Sequence, residues 1–245
     1  MKLSNKSWGK AVLAAAVGLT LTTAPAAAET PQSLPEFDSQ VRDALLRNPE
    51  IILEVFALLE QKEEANKALQ DQKIIASIAD ELFAGLDPEK PILVEFQDYN
   101  CGYCRKVHAE VQALKTDNPD LQVVIMEMPI LGTGSDFTAK VALALRELKG
   151  EAAYQEFSDE MMTTPGQANA VSALKVLSKL GHNPEELAAA VKAGVGADEL
   201  EKASRMAAAV GAKGTPYFVG PGGIIRGAAN AYQLAEITTP AELQE

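Results

Sequence analysis

The chain has 245 residues and sets 34 acidic side chains against 22 basic ones, a formal charge of −12. Lys2, Lys6 and Lys10 sit in a first 28 residues that contain no acid, so the remainder is more acidic still. That balance excludes a basic track for a phosphate backbone, and with it nucleic acid as a partner. At 47% hydrophobic residues the chain supports one packed domain with an accessory element.

The three lysines precede an apolar run from Ala11 to Leu21, and Ala26-Ala27-Ala28 stands before Glu29. The run is short for a membrane span. Basic start, apolar middle and an A-x-A-like site read as a signal peptide over residues 1–28. The mature chain is therefore expected to be exported, in a periplasmic setting where disulfides form and persist.

Residues 29–86 form an N-terminal helical segment in this reading. A short helix is predicted over residues 37–47, with Val41, Ala44 and Leu45 on one side. Asn48-Pro49-Glu50 predicts a restart, with Asn48 as N-cap and Pro49 in the first helical position. A long helix follows toward Phe83, with Gly85 as its stop. Its apolar positions include Ile52, Val55, Phe56, Leu59, Leu69, Ile75, Ile78 and Leu82, while residues 61–67 are almost wholly polar. A helix that long needs a packing partner. The cluster in residues 36–60 predicts a homo-oligomerisation surface, and the polar middle predicts a linker.

From residue 87 the pattern changes to α/β. Pro91-Ile92-Leu93-Val94-Glu95-Phe96 reads as a buried strand, and residues 102–116 as a helix with Val107, Val111 and Leu114 on its inner face. A second buried strand covers residues 121–128. Strand, helix, strand is a parallel βαβ unit. A helical insertion at about residues 133–212 comes next: Ser135 as the cap of a helix to Leu148, then helices over 152–162, 170–180, from Asn183-Pro184-Glu185, and over 198–210. Met126, Met128, Met161, Met162 and Met206 are expected in the core or along a groove. Residues 215–220 and 223–227 read as a hairpin through Gly220-Pro221-Gly222, before a last helix at 232–237.

Cys101 and Cys104 are the only cysteines, and they stand where the first strand of this domain hands over to a helix. Free N–H groups and the positive end of the macrodipole there favour an anion, so Cys101 is the expected attacking thiolate. Cys104 lies one turn on, within reach to resolve a mixed disulfide. A zinc site would want four ligands, and His108 and His182 are the only imidazoles. A structural disulfide across two residues would constrain the unfolded chain very little. Redox chemistry is the reading that remains. His108, one turn beyond Cys104, leaves a second reading open: a copper(I) site made with both sulfurs.

Taken together, Glu95, Asp98-Tyr99-Asn100-Cys101-Gly102-Tyr103-Cys104, Pro129-Ile130-Leu131-Gly132 and Gly214-Thr215-Pro216 resemble the bacterial DsbA-like thiol–disulfide oxidoreductases over residues 87–245. With its N-terminal helical segment, the chain is most similar to the ScsC-like branch, whose Cys-Gly-Tyr-Cys motif is shared with disulfide isomerases. The resemblance implies a thioredoxin fold with a helical insertion and no cofactor or resident metal. It implies a cis Thr215–Pro216 bond beside Cys101, where a substrate peptide adds as a strand. It also implies that Glu95, buried below the sulfurs, carries the Cys104 proton, with Asp98 as a weaker candidate. Gly102 and Tyr103 are the redox-tuning positions. Strongly oxidising members hold a histidine where Tyr103 stands, so isomerase or reductase action is expected; the alternative is a disulfide-donating oxidase. The implied partners are unfolded or misoxidised exported proteins and a membrane redox protein that recycles the site.

Overall fold

The computed structural model describes residues 35–240; the segment read as a signal peptide lies outside them. The elements run α1 (Pro35–Arg47), α2 (Glu50–Leu82), β1 (Ile92–Gln97), α3 (Gly102–Asp117) and β2 (Gln122–Glu127). Five helices follow: α4 (Thr133–Lys149), α5 (Glu151–Thr163), α6 (Ala170–Lys179), α7 (Pro184–Lys192) and α8 (Ala197–Ala209). The chain closes with β3 (Tyr217–Gly220), β4 (Gly223–Arg226) and α9 (Ala231–Ala235).

The four strands form one sheet in the order β2-β1-β3-β4. β1 lies parallel to β2, which requires the crossover that α3 supplies, and antiparallel to β3. β3 and β4 make the hairpin, with Gly220 opposite Gly223. Side chains alternate between the two faces of β1 and β3. Val94, Phe96, Tyr217 and Val219 pack with Ile75 and Leu82 of α2 and with Met206 and Ala207 of α8. Leu93 and Phe218 face the other way, onto Val107, Val111 and Leu114 of α3 and Leu234 of α9. A sheet covered on both faces explains why β1 is nearly continuous in apolar residues. It also makes any acid within β1 a buried acid.

The insertion has its own core of Tyr154, Phe157, Met161, Leu177 and Leu187, none of them more than 0% exposed. Met126, Met162 and Met206 are buried as well. Gly150 joins α4 to α5 at φ +91°, a left-handed geometry that glycine adopts freely. At Gly220 a side chain would collide with the carbonyl of Ile237, so only glycine lets the hairpin approach the end of α9.

Two predicted caps are corrected. Asn48 closes the helix before it: its Nδ2 donates to the Ala44 carbonyl at 2.9 Å. Ser135 lies inside α4, whose N-cap is Gly132. The Ser135 hydroxyl is already engaged with Asp98 and Asn100, so it is not available to the helix end. Asn183 does cap α7, with Pro184 in its first turn.

The chain divides into two compact units between Phe56 and Ala57. In the first, Phe37, Val41, Leu46, Leu53, Val55 and Phe56 are exposed apolar side chains. The second contains the later turns of α2, held by more than apolar contact. Arg226 of β4 grips Asp71 through both nitrogens, at 2.9 and 2.6 Å, and Gln72 donates to the carbonyls of Pro221 and Gly222. Asp71 is 6% exposed. Truncating one partner of a bidentate pair strands the other, although Arg226 is partly solvated. Asp71→Ala is expected to cost about 1–2 kcal/mol in urea unfolding. The Asp71→Ala/Arg226→Ala double variant should recover part of that loss.

Candidate active site

β1 ends at Gln97, and the chain turns through Asp98, Tyr99 and Asn100 into α3. Cys101 is the N-cap of that helix, in extended conformation at φ −76° and ψ 114°. Its sulfur accepts the backbone N–H of Cys104 at 3.4 Å, and its own N–H donates to the Asp98 carbonyl at 3.0 Å. Its thiol meets the Thr215 carbonyl at 3.2 Å, across 114 residues of sequence. The Thr215–Pro216 peptide is cis. Both cysteines are free thiols. Cys104 is fully buried, and burial pushes its thiol well up, with hydrogen bonds to Asp98 and Thr215 opposing the shift. The site thus pairs one sulfur at a helix start, where N–H groups are unspent, with a second sulfur kept as a thiol.

The turn is locked to the insertion. Asp98 takes four donors: the Asn100 N–H and Ser135 hydroxyl on Oδ1, and the Ile130 and Leu131 N–H groups on Oδ2, at 2.7–2.9 Å. Both oxygens of Asp98 are thereby committed to holding the turn. Asn100 donates to Ser135 and to the Ala168 carbonyl and accepts the Ala168 N–H. Sequence reasoning passed over Asn100, Ser135 and Ala168 as site residues. Their role depends on contacts 35 and 68 positions away, which no local pattern encodes.

Glu95 is 3% exposed, on the central strand of the sheet. It shares a face with Leu93, which packs on Val107 and Val111. Burial, and then the charge of Glu127, push its carboxyl up to about 8. Glu127, at the end of β2, is 1% exposed and is raised by burial to about 7. Its Oε1 accepts the hydroxyls of Tyr99 and Tyr154, each at 2.7 Å, and more weakly the Gln97 amide at 3.5 Å. The sequence carried a signal for Glu127: a lone acid in an apolar strand, as in β1.

Around the sulfurs, Tyr103, Ile130 and Leu131 are 66%, 48% and 51% exposed. Beside them opens a cleft of about 730 Å³ lined by Asn100, Leu131, Phe137, Gln167 and Asn169. His108 does not join the cysteines. Its Nε2 faces Asp159 of α5 at 3.4 Å, and burial holds the imidazole below its ordinary value. No cluster of three or more potential ligands capable of holding a metal occurs among the described residues. In this geometry His108 stands with Asp159 of α5 rather than as a third ligand beside the two sulfurs.

A two-cysteine helix start set against a cis-proline loop, on this sheet, defines a thiol–disulfide oxidoreductase of thioredoxin fold. The signature of the DSBA-like thioredoxin domain matches residues 92–238, and the chain belongs to that family. Residues 36–66 match the N-terminal domain of the copper resistance protein ScsC. A thioredoxin-like oxidoreductase from Silicibacter pomeroyi is 35% identical, covering 63% of this chain and 92% of its own, at a TM-score of 0.57. A linker-deletion variant of Proteus mirabilis ScsC is 25% identical, covering 87% and 96%, at 0.58. The thiol–disulfide exchange protein alpha-DsbA2 from Wolbachia pipientis, 22% identical over 69% and 94% at 0.61, shares the fold. No curated protein matches the chain.

The raised carboxyls make a stability prediction. Between an ordinary carboxylate value and about 8, the unfolded chain releases the Glu95 proton while the folded chain keeps it. Stability contributed by this group is therefore full at low pH and lost as pH rises through that window. Glu95→Gln should be more stable than wild type at pH 8 by on the order of a few kcal/mol in urea unfolding. The gap should close toward pH 5.

Proposed function

We propose that the protein is an exported disulfide isomerase or reductase that acts through Cys101 and Cys104. The carrying observation is the meeting of the Cys101 sulfur with the Cys104 N–H and the Thr215 carbonyl. The Cys101 thiolate attacks one sulfur of a substrate disulfide, forming a mixed disulfide and releasing a substrate thiolate. In isomerisation another substrate thiolate displaces Cys101, and no electrons are exchanged overall. In reduction Cys104 gives up its proton, attacks the Cys101 sulfur and expels the substrate as a thiolate. Thr215 and Pro216 offer the passing peptide an extended edge, and Ile130, Leu131 and Tyr103 an apolar rim.

The isomerase or reductase assignment is favoured over disulfide donation by Tyr103. An uncharged, solvent-facing side chain brings no cation to the Cys101 thiolate, so the reduced form gains less stability and the site oxidises less strongly. Substrates are misoxidised exported proteins, and a membrane redox protein restores the dithiol. The basic, apolar and small-residue pattern of residues 1–28 supports export, and the exposed apolar side chains of residues 36–60 support self-association through that segment.

Cys101→Ala should lower disulfide exchange with glutathione by on the order of a thousandfold or more. Cys104→Ala should accumulate a mixed disulfide, visible by intact mass. Failure of the wild-type protein to exchange disulfides with glutathione would refute the assignment. Phe37→Glu and Phe56→Glu together should reduce the molecular mass seen by light scattering. They should also abolish recovery of a scrambled substrate while sparing simple dithiol oxidation. Unchanged isomerisation by a monomeric variant would separate the activity from oligomerisation.

A further inference from the structure

We propose that Arg105 is a positioning residue for the Cys101 thiol, holding the turn that leads into it against the end of α5. This role rests on the exchange reading above and falls to a side chain outside the Cys-Gly-Tyr-Cys motif.

One stripe of α3 supplies the setting. Arg105, His108 and Gln112 stand at i, i+3 and i+7, the spacing that lines one side of a helix. All three meet α5 or its end. Gln112 donates to Asp159 at 2.9 Å, His108 faces the same carboxylate, and Arg105 reaches the Thr164 carbonyl. The apolar packing of α3 is carried by Val107, Val111 and Leu114, so this second stripe is a polar seam between α3 and the insertion.

From that seam Arg105 also reaches the active-site turn. Its Nε donates to the Tyr99 carbonyl at 2.8 Å while its Nη1 donates to the Thr164 carbonyl. A planar guanidinium donates in two directions from fixed positions, as the point charge of a lysine does not. Thr164 is the C-cap of α5, and its carbonyl is one of those that a helix end leaves without an internal partner. A cation is favoured there, yet α5 carries no basic residue in its last turn. Arg105 supplies that charge from α3.

Tyr99 converts that bridge into a hold on the sulfur. Its side chain is 1% exposed, with the ring edge-on to Phe157 of α5 at 6.3 Å between centroids and the hydroxyl on Glu127 beside that of Tyr154. Asp98 and Asn100 are tied by their side chains, and Arg105 ties the backbone between them. Cys101 follows two residues after Tyr99, and its sulfur meets the Cys104 N–H at 3.4 Å. A contact of that length weakens with any drift of the turn, and with it the favour that a helix start lends a thiolate. Arg105 takes no part in making or breaking bonds.

The test compares the full-length reduced protein with its Arg105→Ala variant by two measurements. Thiolate absorbance against pH gives the Cys101 midpoint, the lower of the two because burial holds the Cys104 thiol well up. Hydrogen exchange followed by mass spectrometry gives the opening of residues 98–104 relative to β1. Arg105→Ala should raise the Cys101 midpoint by about half a pH unit or more. It should also speed exchange over residues 98–104 by about threefold or more beyond any change in β1. A raised midpoint without faster exchange in the turn would trace the effect to the guanidinium charge and overturn the positioning role. Faster exchange with an unmoved midpoint overturns it too, as do two unmoved readouts. If Arg105→Ala does not fold, Arg105→Gln, whose single amide cannot span both carbonyls, is read in the same way. Neither measurement needs a substrate. Both shifts in a protein that does not exchange disulfides with glutathione would count against the exchange reading alone; neither shift in an active one would count against Arg105 alone.

Discussion

The site depends on one contact across the chain, the Cys101 sulfur held between the Cys104 N–H and the Thr215 carbonyl. The first partner belongs to the helix that Cys101 caps and comes with the local turn. The second arrives through the sheet. β3 pairs antiparallel with β1, Glu95 opposite Phe218 and Phe96 opposite Tyr217, and this brings the residues just before β3 to the end of β1. Without that pairing, the thiol would stand at a helix start without the Thr215 carbonyl beside it. The five insertion helices separate β2 from β3 in sequence yet leave the pairing intact, because they fold around their own core.

The insertion does more than fill space. Through Ser135 and Ala168 it holds Asn100, and through the Pro129-to-Leu131 loop it holds Asp98. The residues before Cys101 are thereby fixed on three sides. A turn clamped by a carboxylate with four donors has little freedom to rearrange, so the sulfur is held in one geometry. The exposed apolar rim of Ile130 and Leu131 springs from the same loop that Asp98 holds. One buried carboxylate therefore positions both the thiol and the rim that borders it.

The acidic residues of this chain divide into two populations. Most are solvated and account for the net charge. Asp71, Glu95, Asp98 and Glu127 are buried, and the fold treats each differently. Asp71 is matched by Arg226 and Asp98 by backbone and hydroxyl donors. Glu127 takes the hydroxyls of Tyr99 and Tyr154 and feels the charge of Arg146, yet burial still pushes both it and Glu95 toward the neutral form. Burying an acid in this way costs stability.

Much of this was legible in the sequence, for a physical reason. Apolar periodicity marks the strands and helices of a sheet covered on both faces, and two cysteines at a strand-to-helix junction mark a place where an anion is favoured. The order of elements, the hairpin at Pro221 and the helical insertion all follow from such local patterns. What polar side chains do follows from partners far along the chain. Ser135 looked like a cap and is a strut; Asn48 looked like a start and is an end; His108 looked available to the sulfurs and faces Asp159. Only the tertiary structure could join Asp71 to Arg226, or set Glu127 diagonal to Glu95. Periodicity records which side of an element avoids water, whereas a hydrogen bond is decided by which donors and acceptors the packed fold brings within about 3 Å.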